Sequence, residues 1–165
     1  MFQAQSSRYL RDDYLRRIEL AIAPLTPDQI WWRPNEASNS IGNLMLHLAG
    51  NVRQWIVGGV GETSMARDRD LEFSTRDLIG KDELLTRLRD AVDEACTIIE
   101  RVPDATLPEP RSIQRFDTTV FGAIYHVVEH FAMHTGQIIL LAKAQTGKDA
   151  GFYRVRADGT PERLY

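Results

Sequence analysis

Three of the four histidines in the chain lie within one short stretch, at positions 126, 130 and 134. A helix turns by about 100° per residue, so His126, His130 and His134 fall within about 80° of one another on one face. Gln137 comes back between the first two, and Ala123 shares the face, which is therefore expected to point into a core. Inward imidazoles of this kind are the groups from which metal sites in helical bundles are built.

The fourth histidine, His47, belongs to a different amphipathic segment. Ser40 is expected to cap this helix, and apolar residues recur at helical spacing from Ile41 to Ile56. His47 lies at the edge of this apolar stripe, with Asn51 one turn later. On its own, such a histidine is typical of a hydrogen-bonded core position. A metal site needs a ligand from a second helix, however, and His47 is the one imidazole left to provide it.

The histidines indicate metal chemistry of a particular kind. Three protein ligands with an open fourth position are typical of a catalytic zinc-like site rather than a structural one. Histidines four residues apart on a helix reach one ion, as in the zinc proteases, but the His-Glu-x-x-His motif of those proteases is absent from this sequence. A metal-free alternative is that the histidines hydrogen-bond to one another, to Glu129 or to Gln137. Burying three imidazoles without partners is costly, and a divalent ion satisfies several at once.

Four long amphipathic segments indicate an all-α fold, a four-helix bundle with long crossover connections. They are expected at residues 2–23, from residue 40 to about 57, at residues 80–102 and from about residue 119 to 145. No segment alternates with period two over more than a few residues, so no sheet is expected. The glycines after Val57 are expected to supply a left-handed helix end. The 165 residues fit one domain, with residues 148–165 as a tail that wraps over the bundle or over a partner subunit.

Two segments that connect the long helices also carry predictions. Thr26 begins a segment with the form of a short capped helix. Trp31 and Trp32 follow, and because adjacent residues cannot both face one core, one is expected to pack inward. The other, with Arg33, is expected to line a pocket mouth or a subunit contact, and plain packing is the alternative. The charged run of residues 61–76 is interpreted as a solvated loop.

Composition excludes several classes of function. A net charge of −3 and scattered basic residues argue against a nucleic-acid partner. No signal peptide or membrane-length apolar run is recognisable, so no membrane association is expected and the protein is expected to be cytoplasmic. Cys96 is the single cysteine and lies in a helical apolar pattern, which predicts a buried, inert thiol in a reducing compartment.

Two segments resemble the DinB/YfiT-like family, in a branch of unknown function. They are NSIGNLMLHLAGN at residues 39–51, followed by Trp55, and HVVEHFAMHTGQI at residues 126–138. The resemblance covers nearly the whole chain, and the second segment is its most specific part. It implies a four-helix bundle, often dimeric, that holds a divalent transition metal, zinc or nickel.

Carried over position by position, the resemblance assigns the metal ligands to His47, His130 and His134. His126 is left over, as a further ligand or as a side chain that orients the ligands. Asn51 and Gln137 are expected to orient the ligands or a bound water.

The resemblance also implies a transferase that uses a low-molecular-weight thiol. In this interpretation the metal binds the thiol sulfur, lowers its pKa and holds the thiolate for attack on an electrophilic small molecule. One alternative is a metal-dependent hydrolase with His126 or Glu129 as general base. The other is not enzymatic: with a closed coordination shell, the protein would be a dimeric metal-binding module in a stress response or an interaction. An open coordination position distinguishes the enzymes from this module.

Overall fold

The computed structural model describes residues 1–76 and 79–165. Within these residues the chain is mostly helical, with six helices and two short hairpins. The helices are α1 (Phe2–Arg8, Tyr9–Leu15 and Arg16–Ile22 in one continuous run), α2 (Pro27–Trp31), α3 (Ile41–Val52 continued by Arg53–Val60), α4 (Arg69–Ser74), α5 (Lys81–Arg101) and α6 (Val120–Thr146). The middle part of α1 and the second part of α3 are π-helical. The strands are β1 (Pro110–Ile113), β2 (Phe116–Thr119), β3 (Tyr153–Val155) and β4 (Pro161–Arg163).

The helix ends follow from local side-chain chemistry. Thr26 and Ser40 each form a capping box, in which the cap hydroxyl and the side chain three residues later accept hydrogen bonds from backbone amides. Thr119 caps α6 by accepting from the amide of Gly122, and Gly147 ends α6 with a left-handed φ of 64°. These ends lie where the sequence predicts them.

The four long helices enclose one apolar core. Helix α3 lies between α5 and α6, and α1 contacts the same two helices from the other side. The largest fully buried side chains come from all four helices and from α2: Phe131, Leu10, Ile18, Ile22, Ile30, Ile41, Met45, Leu48, Ile56, Leu84, Leu88 and Ile99. Burial of each such side chain contributes about 1.5–3 kcal/mol. Burial also raises the pKa of the Cys96 thiol in α5 to about 11, which makes it the inert thiol that the sequence predicts.

A β-hairpin between α5 and α6 departs from the all-helical expectation. Strands β1 and β2 pair antiparallel, and the turn residues Gln114 and Arg115 adopt positive φ angles of 54° and 68°. Turns of this type normally contain Asn or Gly, so the sequence gives no hairpin signal here. Ile113 of β1 packs against Gly59 of α3, at a distance that leaves no room for a Cβ on Gly59.

The end of α3 also differs from the prediction. Gly61 has a φ of −79°, in the right-handed region, and the left-handed residue is Glu62, with a φ of 53°. A Cβ on Gly61 would lie 2.8 Å from the carbonyl oxygen of Val57. Glycine is therefore needed here for a close backbone approach and not for a left-handed helix end.

The C-terminal tail folds back onto the chain's own first helix. Strands β3 and β4 form a second antiparallel hairpin. The hydroxyl of Tyr165 donates to Asp13 of α1 at 2.9 Å, and Arg163 pairs with the same carboxylate at 3.1 Å. Of the two predicted positions for the tail, the structure shows the contact with its own bundle. None of the helices in the described ranges is long and apolar enough to cross a membrane.

Candidate metal centre

Helices α3 and α6 bring three of the four histidines together. His47 comes from α3, and His130 and His134 come from successive turns of α6. One ring nitrogen of each lies within 4.8 Å of the other two. His47 is only 5% exposed and His134 only 9%, whereas His130 is half-buried. Three histidines are thus close enough to hold one metal ion.

The nitrogens that meet at the centre of the cluster are all Nε2 atoms. His130 Nε2 lies 3.2 Å from His47 Nε2 and 3.2 Å from His134 Nε2. On the opposite side of each ring, His47 Nδ1 lies 3.0 Å from Glu72 Oε2, and His134 Nδ1 lies 2.7 Å from Gln137 Oε1.

These outer contacts assign the tautomers of two histidines. His47 Nδ1 also lies 3.1 Å from the donor Arg67 Nη2, but Nη2 lies closer to Glu72 Oε2, at 2.7 Å. We therefore assign the N–H of His47 to Nδ1, where the carboxylate oxygen accepts it, and the lone pair to Nε2. The amide oxygen of Gln137 does the same for His134. Metal-ligating histidines are typically oriented in this way by an acceptor on the second ring nitrogen.

The lone pairs at the centre therefore outnumber the protons. His47 and His134 both direct an Nε2 lone pair at His130, which has a single N–H to give. His130 Nδ1 is buried and has no hydrogen-bond partner in the described part of the chain, so Nδ1 is unsatisfied in either tautomer. A divalent cation would accept all three Nε2 lone pairs and leave the N–H of each ring on Nδ1. The residues thus fit a metal ion.

The environment keeps His130 and His134 neutral. Burial, followed by the neighbouring His134 and His47, lowers the pKa of His130 to about 3. Burial also lowers the pKa of His134, although the hydrogen bond to Gln137 acts in the opposite direction. Both rings are unprotonated at pH 7, the form in which imidazole binds metal.

A buried ion pair stands behind His47. Arg67 Nε lies 2.6 Å from Glu72 Oε1, and both side chains are nearly inaccessible. Burial raises the pKa of Glu72, but hydrogen bonds from Arg67 and His47 outweigh this effect and hold that pKa below its usual value. The interpretation of residues 61–76 as a solvated loop is wrong at this point. Asp68 caps helix α4, and α4 carries Glu72 to the histidine.

Gly50 makes room for the ion pair. A Cβ at this position of α3 would lie 2.9 Å from Arg67 Nε and closer still to a carboxylate oxygen of Glu72. Glycine inside a helix costs about 1 kcal/mol relative to alanine, so a mid-helix glycine one turn from His47 is a signal of close approach. The sequence contains that signal, but it does not identify Arg67 and Glu72 as the residues that approach.

A cavity of about 530 Å³ opens beside the cluster. Its wall includes His47 and His130, whereas His134 lies behind them. The wall is completed by Arg67 and by six further side chains: Asn51, Trp55, Arg69, Gln114, Phe116 and His126. Of these six, only Asn51 and His126 are predicted from the sequence as site residues, and Trp55 belongs to the family segment.

His126 lies in the cavity wall but outside the three-histidine cluster. Its ring packs against Trp55 of α3, with centroids 4.0 Å apart and the ring planes tilted by 36°, and its centroid is 5.3 Å from that of His130. Asn51 lies in the same wall and is only 4% exposed. Glu129, the other predicted base, is exposed on α6 and is not part of the wall.

Trp31, Trp32 and Arg33 lie apart from this cavity wall. Trp31 is 9% exposed, donates from Nε1 to the carbonyl oxygen of Ile79 at 3.1 Å and packs against α3, whereas Trp32 is 41% exposed. One of the two tryptophans thus faces inward, as predicted. Pro34, the residue after Arg33, lines a second cavity of about 380 Å³, on the side of Gln137.

Solved structures share this fold. A conserved protein from Enterococcus faecalis superposes with a TM-score of 0.72 at 18% identity, over 88% of this chain and 97% of that one. A DinB-like protein from Bacillus cereus superposes with a TM-score of 0.61 at 16% identity, over 88% of this chain and 91% of that one. At these identities the likeness shows the fold alone. No curated protein matches the chain.

The sequence itself matches a family model. Residues 4–155 match the family described as "Protein of unknown function (DUF1572)", which is DinB-like. This match covers most of the chain and confirms the resemblance carried by the two histidine segments. The chain belongs to the DUF1572 family of DinB-like proteins of unknown function.

Proposed function

We propose that this protein is a metal-dependent enzyme whose ion, zinc or nickel, is bound by His47, His130 and His134. The observation that carries the proposal is the convergence of three Nε2 atoms with fewer protons than lone pairs between them. Three neutral protein ligands beside an open space are typical of a catalytic ion. His47 and His130 form part of the cavity wall, which supports access for a small molecule.

The activity that we favour is the transfer of a low-molecular-weight thiol to an electrophilic small molecule. A bound divalent ion would lower the pKa of the thiol. The chain contributes orientation, because Glu72 and Gln137 fix two of the imidazoles. It also contributes aromatic cavity walls, from the buried Trp55 and from Phe116, which is 61% exposed. The choice of a thiol is supported by the resemblance to the DinB/YfiT-like family.

His126 is the group best placed to accept the proton that is released. Burial lowers its pKa, so the ring is neutral at pH 7, and it lies in the cavity wall beside His130. The same position would serve a metal-dependent hydrolase, in which His126 accepts a proton from water, and this is the second candidate function. Glu129 is less suited to the role because it is exposed and lies outside the wall.

A homodimer is part of this proposal. Helix α6 exposes a row of large apolar side chains beside the histidine face, and such a surface supports contact with a second copy. The row consists of Phe121, Tyr125, Met133 and Leu140. A dimer that binds metal without turnover, acting in a stress response or as an interaction module, is the non-enzymatic alternative.

The proposed activity is tested with 1-chloro-2,4-dinitrobenzene and a panel of thiols. Attack forms the carbon–sulfur bond, breaks the carbon–chlorine bond and releases chloride and the thiol proton, and the thioether is followed by its absorbance. We expect turnover by zinc- or nickel-loaded protein that is lost after chelation and in His134→Ala. Turnover of p-nitrophenyl acetate alone would favour the hydrolase. Metal binding with neither activity would favour the non-enzymatic module.

A further inference from the structure

We propose that the cavity beside the histidines binds a flat organic carboxylate, with Arg69 as the partner of its negative charge and Asn51 as a neutral hydrogen-bonding partner. This inference rests on the proposed function, because the bound ion supplies part of the positive charge. It names the class of substrate that the site would take.

The cavity wall carries positive charge without a compensating carboxylate. Of its two arginines, Arg67 is neutralised by the buried pair with Glu72. Arg69 has no carboxylate partner in residues 1–76 and 79–165, and its guanidinium lies over the Phe73 ring, 5.1 Å from the centroid. Stacking on a ring leaves the edge N–H groups of a guanidinium available, and these match the two oxygens of a carboxylate.

The metal centre adds to this charge. Three imidazoles are neutral ligands, so a divalent ion would keep its double charge. Among the described residues, no Asp or Glu side chain belongs to the cavity wall. A charge in a partly enclosed site is stabilised by a partner of opposite sign, which favours an anionic ligand in this cavity.

Two buried polar groups in the wall lack partners of their own. The side chain of Asn51 forms no hydrogen bond with the residues that the structure describes, and its Oδ1 is fully buried. The Nε1–H of Trp55, one turn further along α3, is likewise without an acceptor there. The buried Oδ1 of Asn51 only accepts hydrogen bonds, so Asn51 would engage a carboxylate through the N–H groups of Nδ2.

The walls suit a flat organic body. The rings of Trp55 and His126 pack against each other, and Phe116 of β2 lines the same cavity. A volume of about 530 Å³ is within the range of small-molecule sites. The arrangement of an aromatic wall, an arginine and a neighbouring cation favours an aromatic carboxylate over a bare inorganic anion.

The test is calorimetric titration of zinc-loaded protein with benzoate and with benzamide, its uncharged isostere. We expect benzoate to bind at least about tenfold more tightly than benzamide. Arg69→Gln is expected to weaken benzoate binding about tenfold and benzamide binding less than about twofold, with unchanged zinc content. Arg8→Gln, at an exposed arginine of α1, is the matched control and should leave both affinities unchanged.

Each further outcome distinguishes the two proposals. Equal affinities for the two probes, or an Arg69→Gln variant that binds benzoate as tightly as the parent protein, would overturn the carboxylate site and leave the metal centre intact. Asn51→Ala should weaken both probes, and unchanged affinities would remove Asn51 from the site. A protein that takes up no zinc would overturn the proposed function, and this inference with it.

Discussion

Two clusters of buried polar side chains in this molecule differ in one respect. The first surrounds Asp13 of α1, which is 5% exposed. Its carboxylate forms an ion pair with Arg17 at 2.6 Å and accepts hydrogen bonds from Arg163 and Tyr165, at 3.1 and 2.9 Å. The hydroxyl of Tyr165 in turn accepts a hydrogen bond from Arg17. Every charged group in this cluster has a partner within the chain.

The second cluster, around His130, is short of partners. Its three Nε2 atoms face one another, and His130 Nδ1 has no hydrogen-bond partner in the described ranges. Asn51 Oδ1 and Trp55 Nε1 beside it are also unpaired. The difference indicates what each cluster does. The satisfied network holds the tail to α1, and the network that lacks partners among the described residues is the one that we propose to bind a metal ion.

The largest effect on stability is expected at the satisfied cluster. Asp13→Ala removes the acceptor of three donors, and we expect it to lower the free energy of unfolding by about 2–3 kcal/mol, because the two arginines lose their buried partner. Zinc content should be unchanged. Urea unfolding measures the loss, and Asp12→Ala, at the exposed neighbouring aspartate, is the control, with an expected change below about 0.5 kcal/mol. Equal losses in the two variants would contradict a structural role for the Asp13 cluster.

A smaller effect, on metal affinity, is expected for Glu72, which orients His47 in the unsatisfied cluster. Glu72→Gln weakens the acceptor that orients His47, and loss of such a partner typically reduces metal affinity by about 10- to 100-fold. Competition with a chelator dye measures the affinity, and saturating zinc should restore full occupancy. Glu83→Gln changes a surface carboxylate paired with Arg87 on α5, and it should leave zinc affinity unaltered. Unaltered affinity in Glu72→Gln would show that Glu72 serves only the ion pair with Arg67.

The features that the sequence predicts correctly depend on residues close together along the chain. Ser40, Thr119 and Gly147 mark helix ends because each acts on backbone groups within a few positions. The shared face of His130 and His134 likewise follows from helical geometry alone. Helical periodicity and capping therefore account for most of the fold and for two residues of the candidate centre.

The features that the sequence does not predict depend on distant contacts or unusual turns. In the sequence, Arg67 and Glu72 have the pattern of solvated charges. Their burial follows from the packing of their side chains against Gly50, which the sequence does not reveal. Asp13 and Tyr165 are 152 positions apart, and no local pattern links them. The first hairpin was missed because its strands have four residues each and its turn residues are Gln and Arg. Most of the cavity wall, including Arg69, was missed for the same reasons.

The central claim is that His47, His130 and His134 together hold one metal ion. The most direct measurement is elemental analysis of tag-free protein and of four variants: His47→Ala, His130→Ala, His134→Ala and His126→Ala. We expect about one equivalent of transition metal per chain in the parent protein and in His126→Ala, and almost none in the other three, with folding checked by circular dichroism. A folded parent protein that is metal-free and cannot be loaded with zinc or nickel would contradict the account.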